Sequence, residues 1–268
     1  MNMFKSVLLV TVLLLWLTPQ GARAQTVDGI IAKYMDALGG KEKLLSIKTV
    51  YQEGVAVMQN GMEVDSKLYR VNGKLFRDEI SFGMGNVVII VTPTQGWSEN
   101  PRTGGTFEAM KDEQVKALQS QLDCPGPLVD YAAKGNKVEL QGKDTVNGKE
   151  CYKLKLTFPS GNDVTYSIDA ASYYLLRESR KGGGMFGGGG GAGAGGGGAG
   201  AGGGAGGGGR RGGNANGEMN VDFSDYQKTT DGYVFPMTIV SGNFGAKTSV
   251  EKLDINKPID DAKLSKPQ

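Results

Sequence analysis

The chain contains no histidine. That removes the Ser-His-Asp triad, the Cys-His dyad and the common histidine-ligated zinc sites. It has only two cysteines, Cys124 and Cys151. Their spacing is not C-x-x-C, so a thioredoxin-type redox centre is not indicated. In an oxidising compartment they are a candidate disulfide; two free thiols are the other reading. Calcium-loop spacing and a G-x-S-x-G elbow are also missing. No metal site and no cofactor are expected, and the chain is not expected to be an enzyme.

A long apolar run is lacking too. The longest, Val7–Leu17, is followed by Pro19 and Ala22-Arg23-Ala24, with Lys5 ahead of it. This is the order of a secretory signal peptide, and the run is well short of the roughly 20 residues that cross a bilayer. Cleavage is expected after Ala24, so residues 1–24 are read as the signal and the mature chain as periplasmic. Gln25 stands where a lipoprotein would carry its cysteine. The 30 basic residues include Lys5 and Arg23, and the 28 acidic ones all lie beyond residue 24. The mature chain is therefore neutral, which argues against nucleic acid as a partner.

What is abundant is glycine, 44 residues, most of them in the tract Gly182–Gly217. Such a stretch buries too little apolar surface to offset its ordering entropy and is expected to be a disordered loop. Loop closure grows only logarithmically with length, so a fold tolerates it. Arg210-Arg211 is a single pair, not a Gly-Arg repeat. The reading is one domain, 25–261, interrupted by 182–217, with a flexible tail at 262–268.

Inside that domain the apolar period changes. Val27, Ile30, Ile31, Tyr34, Met35 and Leu38 recur at helical spacing behind Thr26 as N-cap, and Gly39-Gly40 supplies a stop. A helical turn is expected over Lys41–Ser46. From Thr49 the period is two, punctuated by Asn60-Gly61, Asn72-Gly73, Asn147-Gly148 and Asp231-Gly232. Strands are predicted near 49–59, 62–71, 74–82, 86–92 and 95–98. A second series follows near 137–144, 149–158, 163–169, 173–180, 218–228, 233–241 and 246–255. Between the series, Met110–Leu122 reads as a helix with Val115, Leu118 and Leu122 on one stripe, and Pro127 can open a second short helix. One-sided strands in succession make an antiparallel sheet with one buried face, and so many strands curl.

The expected fold is α+β: a strongly curved antiparallel sheet of about 11–12 strands covered by a helical lid. Candidate lining residues for a hydrophobic cavity are Tyr69, Phe76, Phe82, Val88, Ile90 and Trp97 from the strands. Leu118, Leu122, Leu128 and Tyr131 would come from the lid. The acidic pairs Asp78-Glu79 and Asp260-Asp261 read as solvated surface pairs. A hydrolase built on paired carboxylates is the weaker reading.

Several segments together carry a resemblance. These are Ile30–Gly40 (IIAKYMDALGG) with Lys43–Ile47, Gly96-Trp97 with Asn100-Pro101 and Thr103-Gly104, and Gly126–Tyr131 (GPLVDY). Cys151–Leu156 (CYKLKL), Asp225-Tyr226 and Phe235-Pro236 extend it. Over nearly all of Thr26–Asp261, outside the glycine tract, the chain resembles the LolA-like outer-membrane lipoprotein-sorting proteins of Bacteroidetes-type bacteria. The resemblance implies an incomplete β-barrel under a helical lid, of LolA/LolB type, and a monomer that carries lipid or an acylated lipoprotein. Envelope membrane proteins are the other implied partners. It also implies a barrel arginine that latches the lid; the matching position here is Asn72, with Arg70 two residues earlier. The alternative function is an envelope interaction protein whose barrel is only structural.

Overall fold

The computed structural model describes residues 25–83, 85–101, 104–181, 218–241 and 246–264. The expected signal peptide, the glycine tract and residues 265–268 of the expected tail lie outside the described residues.

Helix α1 (Val27–Ala37) starts where the sequence predicts, with the Thr26 hydroxyl accepting from the Gly29 N–H at 3.1 Å. A short α2 (Lys41–Leu45) follows the Gly39-Gly40 break, where both glycines take positive φ. The strands are β1 (Thr49–Val57), β2 (Glu63–Val71), β3 (Leu75–Phe82), β4 (Gly85–Val91), β5 (Gly96–Glu99) and β6 (Glu108–Ala109), then β7 (Lys137–Val146), β8 (Lys149–Thr157), β9 (Asp163–Asp169), β10 (Leu175–Lys181), β11 (Glu218–Lys228), β12 (Val234–Ser241) and β13 (Ala246–Ile255). Between the two series lie α3 (Asp112–Leu118) and a 3-10 turn, Gln119–Leu122. The strand missed by sequence is β6; two residues cannot show a period. A final helix, α4 (Asp261–Leu264), takes up the first residues of the expected tail.

All thirteen strands form one antiparallel sheet in the order β6-β5-β4-β3-β2-β1-β13-β12-β11-β10-β9-β8-β7. Two meanders are thus joined through β1 and β13, with Val50 opposite Ile255 and Val57 opposite Lys247. The far ends, β6 and β7, do not pair, so the sheet curls without closing. At Gly54 the β1–β13 register slips. A Cβ there would sit 2.0 Å from the Ser249 carbonyl oxygen, so only glycine permits this approach.

Three hairpins share one turn. Gly61, Gly161 and Gly232 each donate a 2.9 Å bond to the residue three before, and each has φ of 80–85°. This is a type I turn closed by a left-handed residue, which glycine adopts at least cost. Asn147-Gly148 instead forms a two-residue turn with both φ positive.

Helix α1 lies on the concave side of the C-terminal meander. Ile30 and Ile31 pack there with Leu154, Leu156, Tyr166 and Ile168. Replacing the fully buried Ile30 by alanine removes about 2–5 kcal/mol of stability on the usual scale for such sites. The predicted helix at Pro127 is a run of turns instead, because Asp130 takes φ of 50° and interrupts any helical path.

Candidate functional site

The curled sheet and the α3 segment line a cavity of about 1090 Å³. Strand alternation decides what faces it. On β2 these are Val64, Ser66, Leu68 and Arg70; on β3 they are Phe76, Asp78, Ile80 and Phe82. Ala56, Phe223, Ile239 and Val250 continue an apolar wall. Ala56, Val64 and Ile80 pack together there, with Met58 and Phe82 against them.

The lid is held by both apolar and polar contacts. Val115, Leu118 and Leu122 bury against Phe76, Ile89, Val91 and Met110. Gly96 makes room for this: a Cβ on it would meet the Met110 sulfur at 2.9 Å and Val115 at 3.0 Å. Gln119 Nε2 donates to the Thr92 carbonyl at 3.2 Å. The β2–β3 turn grips the lid's end. Gly73 N–H donates to the Leu122 carbonyl at 2.7 Å, and Cys124 N–H donates to Asn72 Oδ1 at 3.1 Å. Arg70 Nη2 donates to Gln121 Oε1 at 2.7 Å. The barrel arginine that reaches the lid is therefore Arg70, while Asn72 binds the lid's backbone.

Of the residues predicted from sequence, Phe76, Phe82 and Leu118 line the cavity. Leu122 packs on Phe76 beneath the lid. Tyr69 lies on the outer face of the sheet, its ring 4.9 Å from that of Tyr51. Val88, Ile90 and Trp97 pack outside with Leu75, Val71 and Phe107. Strand β4 is apolar on both faces, so alternation could not tell which set faces in; Ile89 and Val91 do. Leu128 and Tyr131 belong to the α1 core, and the Tyr131 hydroxyl donates to Asp28 at 2.8 Å. The candidate disulfide is replaced by two free, buried thiols. Cys124 lines the cavity, whereas Cys151 packs elsewhere with Val146 and Leu176.

Sequence reasoning missed the charged residues inside. Asp78 and Glu79 are not a surface pair; neighbours on a strand point to opposite faces. Glu79 faces out, bonded to Arg77 at 2.6 Å and Lys263 at 2.8 Å. Asp78 faces in, and burial lifts its carboxyl to about 6 although Arg70 pulls the other way. Glu178 and Arg180 enter from β10 and bind each other. Burial pulls Arg180 down, but Glu178 and then Tyr166 hold it above its usual value. Lys134 Nζ bonds Asp123 at 2.6 Å and the Gly126 carbonyl at 2.9 Å. Arg70 shares the parity of Leu68, as Asp78 shares that of Phe76 and Ile80, and this signal was available in the sequence. Among the described residues no group of His, Cys, Asp and Glu side chains is arranged to hold a metal.

No protein-family model matches the chain, and no curated protein does. Among solved structures, a DUF1329 family protein from Desulfovibrio piger aligns at 14% identity with a TM-score of 0.51, covering 88% of this chain and 97% of that one. A domain described as that of an outer membrane lipoprotein-sorting protein, from Vibrio parahaemolyticus, aligns at 11% identity and TM-score 0.48, covering 88% and 94%. A LolA superfamily protein from Nitrosomonas europaea aligns at 9% and 0.49, covering 88% and 96%. At such identities likeness speaks for the fold alone. The single curled sheet, its unpaired ends and its helical lid make this an incomplete antiparallel barrel, a fold it shares with the Desulfovibrio piger protein.

Proposed function

We propose that this chain is a non-catalytic periplasmic carrier that holds the acyl chain of a lipid or of a lipoprotein under its lid. The observation that carries the reading is the lidded cavity of about 1090 Å³ with a continuous apolar wall on one side. Burying acyl methylenes there contributes about 0.8 kcal/mol each, so a dry groove supplies affinity without directional bonds. The lid's few polar bonds are of a kind that opens and recloses at modest cost. The sequence resemblance points the same way, and the expected signal peptide supplies the compartment. A carboxylate hydrolase is less well supported, since Glu178 is taken by Arg180 and cannot serve freely opposite Asp78.

Native mass spectrometry of the protein purified from the periplasm tests this. Co-purifying lipid or an acylated partner is the expected result. A ligand-free protein that also takes up no added lipid would leave the barrel a structural module of an envelope interaction protein.

A further inference from the structure

The cavity is not uniformly apolar, and its cations are unequally matched. Arg180 is bonded to Glu178 and Lys134 to Asp123. Arg70 differs. Among the described residues its side chain hydrogen-bonds to the neutral amide of Gln121, and its guanidinium lies over the Phe76 ring at 5.7 Å. Its Nε is buried and has no hydrogen-bond partner among the described residues. Asp78 and Glu178 both act on it electrostatically, yet neither forms an ion pair with it among the described residues. A guanidinium with a buried, idle N–H is a costly arrangement unless something else supplies an acceptor. The apolar wall of Ala56, Val64, Ile80 and Phe82 belongs to the same cavity.

We infer that Arg70 is the anion-binding subsite of the cavity, and that the ligand is an acyl chain ending in a carboxylate or phosphate drawn inside the barrel. This rests on the acyl-carrier reading and names the part of the ligand that reading leaves open. The planar guanidinium matches two-oxygen anions, and charge-assisted bonds of this kind are about twice as strong as neutral ones. An uncharged chain end meets the same N–H without a full negative charge to neutralise, so the site discriminates by charge as well as by length.

The test compares palmitate with 1-hexadecanol, by calorimetry or by displacement of a fluorescent probe, on the full mature chain at pH 8. Palmitate is expected to bind at least tenfold tighter. Acetate and inorganic phosphate at millimolar concentration are expected not to displace it, because the anion alone lacks the chain. In Arg70→Gln the ratio should fall close to one. Asp78→Asn, which removes the acid facing Arg70, should widen it, and this arm stands if Arg70→Gln fails to fold. Equal binding of acid and alcohol to the unmodified protein overturns the subsite while leaving the acyl-carrier reading intact. An unchanged ratio in Arg70→Gln, or in Asp78→Asn, overturns it as well. Displacement of palmitate by free phosphate would make Arg70 a small-anion site and overturn the chain-linked ligand. If neither chain binds, the acyl reading falls and the subsite with it.

Discussion

Asp78 is a carboxylate placed where water is scarce, and that has a measurable consequence for stability. Its pKa is about 6 in the folded protein and near the ordinary value, 3.8, when unfolded. The folded state therefore binds the extra proton between about pH 4 and 6, and stability falls as pH rises through that window. Asn does not titrate. Asp78→Asn should match the unmodified protein below pH 4 and exceed it above pH 6, by on the order of 1–3 kcal/mol. Urea midpoints at pH 4 and pH 8 measure this, and an equal difference at both would reject the assignment. The residue also shows where sequence reading stops. Parity along β3 already placed Asp78 with Phe76 and Ile80, but an acidic dipeptide looks like surface until the partner strands show which face is enclosed.

At the scale of elements, the lid is the segment whose state can be followed directly, because Cys124 sits at its end. Burial pushes that thiol up to about 11, with Arg70 opposing and Asp123 adding to the rise. From an ordinary value of 9.0, the thiolate is about a hundredfold scarcer at neutral pH, and labelling slows accordingly. Gln121→Ala, which removes the Arg70 bond to the lid, should speed the labelling of Cys124 several-fold and leave Cys151 unchanged. Mass spectrometry of a timed alkylation separates the two sites; equal acceleration at both would mean global unfolding instead of lid release. The strands and turns were well legible, because alternation and Asn-Gly or Asp-Gly pairs are local signals. The segment after Pro127 was not. Its composition suits a helix, yet the left-handed Asp130 and the bonds of Asn136 to the Pro127 and Tyr131 carbonyls settle it as turns.

For the molecule as a whole, the decisive contact joins residues some two hundred positions apart, β1 to β13. No local pattern announces it; both strands look alike from either side, and partner choice depends on the finished sheet. That pairing makes the two meanders one structure. Ending the chain at residue 245 removes β13 and exposes the ladders of β1 and β12 together. Circular dichroism should then show loss of the cooperative thermal transition. A truncated chain that melts as sharply as the intact one would mean that each meander stands alone.

A closed barrel has its girth set by strand number and stagger. Here β6 and β7 end the sheet without meeting, and β7 carries Lys137, Glu139, Lys143 and Asp144 along with a bulge near Gly142. Charges and a bulge on an outer strand discourage a stranger's strand from docking, so the slit stays unsealed. No ladder of hydrogen bonds ties β6 to β7, so, like a split collar, the sheet has no fixed girth imposed by closure.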